Sequence, residues 1–329
     1  MTTHDRGARA NSPVRRRQTG SALTQQFSDY LRARRSEIEQ ALAHALPAPP
    51  QCPPVLATAM NYSLSAGGKR LRPVLCLAAA DAVGPHRSFA MPAACALELI
   101  HTYSLIHDDL PAMDNDSLRR GRPTLHVVAG DGMAILAGDG LLTEAFALLA
   151  RVPATAGEEI RLRHLRVISV IADAAGSMGM VGGQAIDLSC TNPDPSGQRA
   201  APLDAEGLRL MHGRKTGALI RASAVAGAIM GGGADSTISS IDAAAAEFGL
   251  AFQIVDDILD VEGVSTELGK TPGKDAASGK PTYPALYGLA KARQMAADCL
   301  ERAETDLRSA GLADSWLMEI GRWIVHRSS

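Results

Sequence analysis

The sequence predicts an all-α protein, and three observations carry that prediction. Apolar residues make up 46% of the 329-residue chain, yet aromatic ones only 4%. Alanine is abundant, so the composition suits helices packed closely through small side chains better than sheets. Apolar positions recur at intervals of three and four over long stretches, the period of an α-helix buried on one face. No convincing run alternates apolar with polar residues, as a half-buried strand would.

Taken in order, residues 1–24 read as a disordered tail. Arg6, Arg9, Arg15, Arg16 and Arg17 outweigh Asp5 there. The tail has neither the apolar segment of a secretory signal nor the amphipathic stripe of an organelle-targeting helix. Residues 25–329 read as one domain with no internal linker. Phe27, Leu31, Ile38 and Leu42 recur at near-helical spacing, and the proline cluster from Pro47 to Pro54 ends that helix. Further helices are expected near 55–66, 70–83, 90–108, 131–151, 158–178, 203–214, 216–230, 236–262, 284–310 and 313–326, separated by short Gly/Pro breaks. The clearest is 236–262. Ile238, Ile241, Ala245, Phe248, Phe252, Val255 and Leu259 form one apolar seam, with Gly249, Gln253, Asp256 and Asp260 on the neighbouring line. Helix 90–108 behaves alike, with Leu97, His101, Ser104 and Asp108 sharing a line.

Composition narrows the function. Lys and Arg number 33 against 35 Asp and Glu, a formal charge of −2 that argues against a general nucleic-acid binder. Cys52, Cys76, Cys95, Cys190 and Cys299 are scattered, odd in number and lack metal-ligand spacing. They read as free thiols in a reducing compartment, the cytoplasm. No uninterrupted apolar run reaches the ~18 residues of a membrane span. The stretch 133–150 comes closest, and Asp139 and Glu144 interrupt it.

The chemistry concentrates in two aspartate clusters, Asp108-Asp109-Leu110-Pro111-Ala112-Met113-Asp114 and Asp256-Asp257-Ile258-Leu259-Asp260. Each lies in or at the end of an apolar helix. Carboxylates in such settings repel one another and lose hydration unless cations come between them. Hard oxygen ligands suit Mg²⁺, which favours a few carboxylates plus phosphate oxygens. Asp256 and Asp260 lie about 40° apart on a helix. Asp108 and Asp114 fall on different faces of a straight helix, but Pro111 breaks it and lets Asp114 return toward Asp108. Cations that could hold phosphate accompany the acids. Arg119, Arg120 and Arg122 follow the first cluster, and Lys69 and Arg72 sit beside the Gly67-Gly68 pair. Lys215-Thr216-Gly217, Lys270, Lys274 and Lys280 come later. Each alone reads better as surface charge or a solvated loop, and the P-loop spacing is absent.

Together, Gly-Gly-Lys-Arg-x-Arg-Pro, Asp-Asp-x4-Asp, Arg-Arg-Gly, the Gly-Gly-Gln at 182–184, Lys-Thr-Gly, Phe-Gln-x2-Asp-Asp-x2-Asp and Gly-Lys resemble the short-chain trans-prenyltransferases of the polyprenyl synthase family. The likeness is greatest to the bacterial farnesyl diphosphate synthases and runs from about residue 26 to 327. It implies an isoprenoid-synthase-type helical bundle around a deep central cleft, paired as a homodimer. It implies three Mg²⁺ ions held chiefly by Asp108, Asp114 and Asp256, with Asp109, Asp257 and Asp260 acting through water or in support. Arg119, Lys215 and Lys270 would bind the allylic diphosphate. Gly68, Lys69, Arg72, His101 and Arg120 would bind isopentenyl diphosphate. Thr216 and Gln253 would face the reacting carbons, and Lys280 would help close the site. The resemblance makes Tyr103 the floor that limits product length, whereas helical spacing alone nominates Ser104. A farnesyl diphosphate synthase is the leading expectation. The alternatives are a geranylgeranyl diphosphate synthase, a non-catalytic synthase subunit and a class I terpene cyclase. The last needs no isopentenyl-binding set and normally mixes Asn, Ser and Glu in its second metal motif.

Overall fold

The computed structural model describes residues 20–191, 203–263 and 281–327. They form helices α1 (Gly20–Leu42), α2 (Pro54–Leu64), α3 (Leu71–Val83), α4 (Met91–Asp108), α5 (Leu125–Ala129), α6 (Asp131–Ala150) and α7 (Glu158–Ala175). These are followed by α8 (Met180–Thr191), α9 (Ala205–His212), α10 (Ala218–Gly231), α11 (Asp235–Glu262), α12 (Tyr283–Tyr287), α13 (Leu289–Ser309) and α14 (Trp316–His326). The expected all-α fold is present. Its one exception among the described residues is a tiny antiparallel ribbon of β1 (Leu118–Arg119) and β2 (Arg122–Pro123).

Four differences from the expected elements have local causes. Helix α1 begins at Gly20, inside the stretch read as a tail. The helix expected over 284–310 is two, because Gly288 adopts φ 80°, a conformation other residues resist. Helix α8 was not among the expected elements, and its two glycines lie against the Ser177 carbonyl and the Lys215 backbone. Between α9 and α10 the helix does not stop: Gly213–Gly217 forms a wide π-type turn within one continuous rod.

Small residues set how closely the helices pack. Helix α10 lies against α3, where Gly227 meets the Cys76 carbonyl with no room for a Cβ, and Ala78, Ala79, Ala224 and Ala228 are fully buried nearby. Beside them α4 packs on α3 and α6, and α11 packs on α10 and α13. The layered core therefore carries α4 and α11, the two aspartate-bearing helices, on either side of α10.

Four helical stretches, Arg87–Asp108, Asp131–Ala150, Glu158–Cys190 and Asp235–Glu262, are long and apolar enough by length and composition alone to cross a membrane. The sequence reading found no such span because it looked for uninterrupted apolar runs. Packing consumes 67% of the apolar window in the first and 50% in the last, but only 33% and 28% in the other two. Their outward faces carry Ile135, Leu136, Leu162 and Leu165, all exposed.

Candidate active site

The first acidic wall is the frayed end of α4. Helix α4 ends at Asp108. The chain then curls so that the Asp114 N–H donates to the Asp108 carbonyl (2.9 Å) and the Asn115 N–H to Leu110 (3.1 Å). Pro111 thus returns Asp114 to Asp108. Burial pushes the Asp108 carboxyl up to about 6, Lys215 pulls it down and the nearby Asp114 raises it further. This is the electrostatics of a buried carboxylate with a like charge beside it. Asp109, one residue on and about 100° around the helix, is buried instead, and both its oxygens accept from Arg119 Nε at 2.9 Å. It braces Arg119 within the frame.

The second wall repeats the pattern on α11. Gln253, Asp256 and Asp260 share one partly exposed line, while Asp257 is buried and accepts from the Tyr283 N–H at 2.9 Å. Of the six aspartates expected to serve the metal, Asp109 and Asp257 are therefore turned to protein partners, as the helical rotation between adjacent residues requires. Asp256 accepts from Arg327 Nη2 (2.9 Å), whose guanidinium also binds the Phe252 carbonyl (3.0 Å) and lies 3.9 Å from the centroid of the Phe252 ring.

The wide turn at Gly213–Gly217 joins the two walls. Gly249 of α11 packs on Gly217, and Gly183 of α8 packs on the Lys215 backbone so closely that neither could carry a side chain. Lys215 pairs with Asp187, one turn along α8. The Gly-Gly-Gln motif and the Lys-Thr-Gly motif thus form one structure. Gly183 allows the approach, and Asp187 pairs with the ammonium.

A cluster of cations stands at the mouth. Arg120 donates to the Gly67 carbonyl, and its guanidinium fills the space where a side chain on Gly68 (φ +129°) would lie. Burial lowers Arg72 to about 10, and its Nε is buried with no hydrogen-bond partner. Burial, then Arg72 and Arg120, hold His101 well below its ordinary range. Lys69 lies 5.7 Å from the Trp323 ring centroid. Cations crowded this closely favour a multiply charged anion. Arg70 belongs to the scaffold. It is buried at φ 51° and donates to Glu39 and Glu98 at 2.7 Å each and to the Leu64 carbonyl at 2.7 Å. It ties α1, α2 and α4 to the loop that carries Lys69.

Sequence reasoning missed Asp187, Glu98, Arg70 and Arg327. Arg70 lies inside the Gly-Gly-Lys-Arg motif and Asp187 four residues after Gly183, so position could have pointed to both, but Glu98 and Arg327 meet their partners only through the fold. Lys270, Lys274 and Lys280 lie outside the described residues. Tyr103 is buried, while Ser104 lies on the cleft line with His101 and Asp108 and donates to the His101 carbonyl (2.9 Å).

Among the described residues no three His, Cys, Asp or Glu side chains already lie close enough to hold one metal ion. The donor set nonetheless fits hard divalent cations. Burial and the neighbouring Asp114 raise the Asp108 carboxyl, and Asp256 and Asp260 lie on a partly exposed line of α11. Such a set suits ions that arrive already bound to a diphosphate.

The profile of the polyprenyl synthetase family matches residues 53–311. The heterodimeric geranylgeranyl pyrophosphate synthase large subunit 1 of Arabidopsis thaliana is 49% identical over 82% of this chain and 71% of its own length. The farnesyl diphosphate synthase of Geobacillus stearothermophilus is 46% identical over 82% of this chain and 88% of its own. The apo structure of an FPP/GFPP synthase from Zymomonas mobilis superimposes with TM-score 0.77 at 36% identity, covering 93% of this chain and 100% of that one. With paired acidic walls, a cationic mouth and these relatives, the chain belongs to the polyprenyl synthetase family and is a prenyltransferase.

Proposed function

We propose that the protein is a farnesyl diphosphate synthase. It joins isopentenyl diphosphate head-to-tail to dimethylallyl and then geranyl diphosphate, releasing diphosphate each time. The observation that carries the fifteen-carbon product is the buried aromatic ring of Tyr103 on α4, five residues before Asp108. Bound Mg²⁺, three ions per site in this reading, would neutralise the charge building on the departing diphosphate. Asp108, Asp114 and Asp256 would hold it directly and Asp260 through water.

The chain's own residues do the rest. Arg119 (braced by Asp109), Lys215 (aimed by Asp187) and Lys270 hold the allylic diphosphate and stabilise it as it leaves. Lys69, Arg72, His101 and Arg120 hold isopentenyl diphosphate, and the unpartnered Nε of Arg72 gains an acceptor. Lys280 helps to close the site. Thr216 and Gln253 face the carbons where the allylic cation forms and the double bond attacks. The proton lost afterwards passes to the released diphosphate. The apolar residues of α4 and α11 keep water from the cation. The exposed leucines and isoleucine of α6 and α7 support a homodimer, since faces of this kind mark interfaces.

A second reading, a geranylgeranyl diphosphate synthase, is favoured by the 49% identity to the Arabidopsis large subunit. Incubation with labelled isopentenyl and dimethylallyl diphosphates, followed by separation of products by length, decides. A main product of fifteen carbons is expected, and one of twenty would replace the first reading with the second.

A further inference from the structure

Tyr103 is not held by its own helix alone. His107, one turn further along α4, meets it edge-on, with ring centroids 5.7 Å apart and planes at 80°. The imidazole is fixed from the other side. Its Nε2–H donates to the Ile135 carbonyl of α6 (3.1 Å) and lies 3.9 Å from the Asp139 carboxylate. Beneath it is Gly138, where any Cβ would fall inside the ring. Although His107 precedes Asp108 in the chain, it points about 100° around the helix from it, into the seam between α4 and α6.

We infer that this seat, His107 resting on the bare backbone of Gly138, is a specificity-determining element. It fixes where the Tyr103 ring stands and hence how long a product the cleft admits. The inference rests on the reading of Tyr103 as the floor. Tyr103 has staggered alternatives for its side chain, and His107 packs edge-on against the one it adopts. An imidazole ring carries as many non-hydrogen atoms as one isoprenyl unit carries carbons. Its removal therefore frees room on the scale of one further condensation. His107 acts through Tyr103 as a positioning residue and touches neither diphosphate nor reacting carbon.

The test is product length at matched conversion, with isopentenyl and dimethylallyl diphosphates and Mg²⁺. His107→Ala should raise the ratio of twenty- to fifteen-carbon product by about tenfold or more, the scale on which one small apolar group discriminates in a pocket. His107→Phe keeps a ring against Tyr103 and should retain the shorter product. Gly138→Ala, on α6, drives the imidazole onto Tyr103 and should shift the product toward ten carbons. Tyr103→Ala separates the two ideas. If it lengthens the product while His107→Ala and Gly138→Ala leave the length unchanged, the seat is wrong and the floor stands. If Tyr103→Ala itself changes nothing, the floor reading fails. Loss of stability in His107→Ala leaves Gly138→Ala and His107→Phe to decide, since a purely structural seat would lower yield without moving the ratio.

Discussion

Adjacent aspartates have opposite duties here. Asp108 lies beside Asp114 and Asp256 accepts from Arg327, both partly exposed, while the buried Asp109 holds Arg119 and the buried Asp257 holds the Tyr283 N–H. Asp108→Asn or Asp256→Asn should lower kcat/KM by about two to three orders of magnitude, the scale of a single preorganised electrostatic group, with the thermal unfolding midpoint barely changed in the first and lowered in the second, which weakens the pair with buried Arg327. Steady-state kinetics beside thermal melts check this, and near-normal turnover in either variant would remove the metal assignment. His101 predicts a pH effect. Burial and the neighbouring arginines hold its pKa well below the ordinary 6.5. The unfolded chain therefore binds a proton below about pH 6.5 that the native protein refuses. Its contribution is intact above that pH and is lost as the medium becomes acidic, by up to about 1.4 kcal/mol per pH unit. Denaturant titrations at neutral and mildly acidic pH should find His101→Gln less acid-sensitive than the parent, and equal slopes would show an ordinarily titrating imidazole. The acids and most of the cations were legible in the sequence because their spacing is local. The partners Glu98 and Arg327 were not, because each is supplied by a distant segment.

At the scale of elements, bare backbone decides which helices touch. Gly227 lies against the Cys76 carbonyl, with no space for a methyl group. Gly227→Ala must prise α10 from α3 and should cost about 1–3 kcal/mol, the usual range for overpacking. Urea unfolding measures it, and a shift under half a kcal/mol would mean that the helices slide apart freely. Helix existence was largely readable from periodicity, and α4 and α11 lie close to where it put them. Helix α8 and the wide turn were not readable. Both depend on glycines that sequence reasoning takes for breaks, whereas in the folded protein they are contact points between neighbouring backbones.

On the scale of the whole molecule, the outward faces of α6 and α7 remain apolar after folding, with Leu136 55% and Leu165 64% exposed. Leu136→Glu with Leu165→Glu should convert the proposed dimer to a monomer in sedimentation velocity, without unfolding it. A parent protein that is itself monomeric would end the idea. The sequence reading was blind to this surface, because a helix apolar on two sides looks like one buried on both. The wide turn at Gly213–Gly217 has a consequence of its own. It is one surplus residue absorbed inside an otherwise regular rod, so substitutions leave the widened turn in being, whereas deleting one residue would close it to an ordinary helical turn and withdraw the groups it sets out. Homologous replacement of that stretch should therefore tolerate exchange of letters far better than any change in their number.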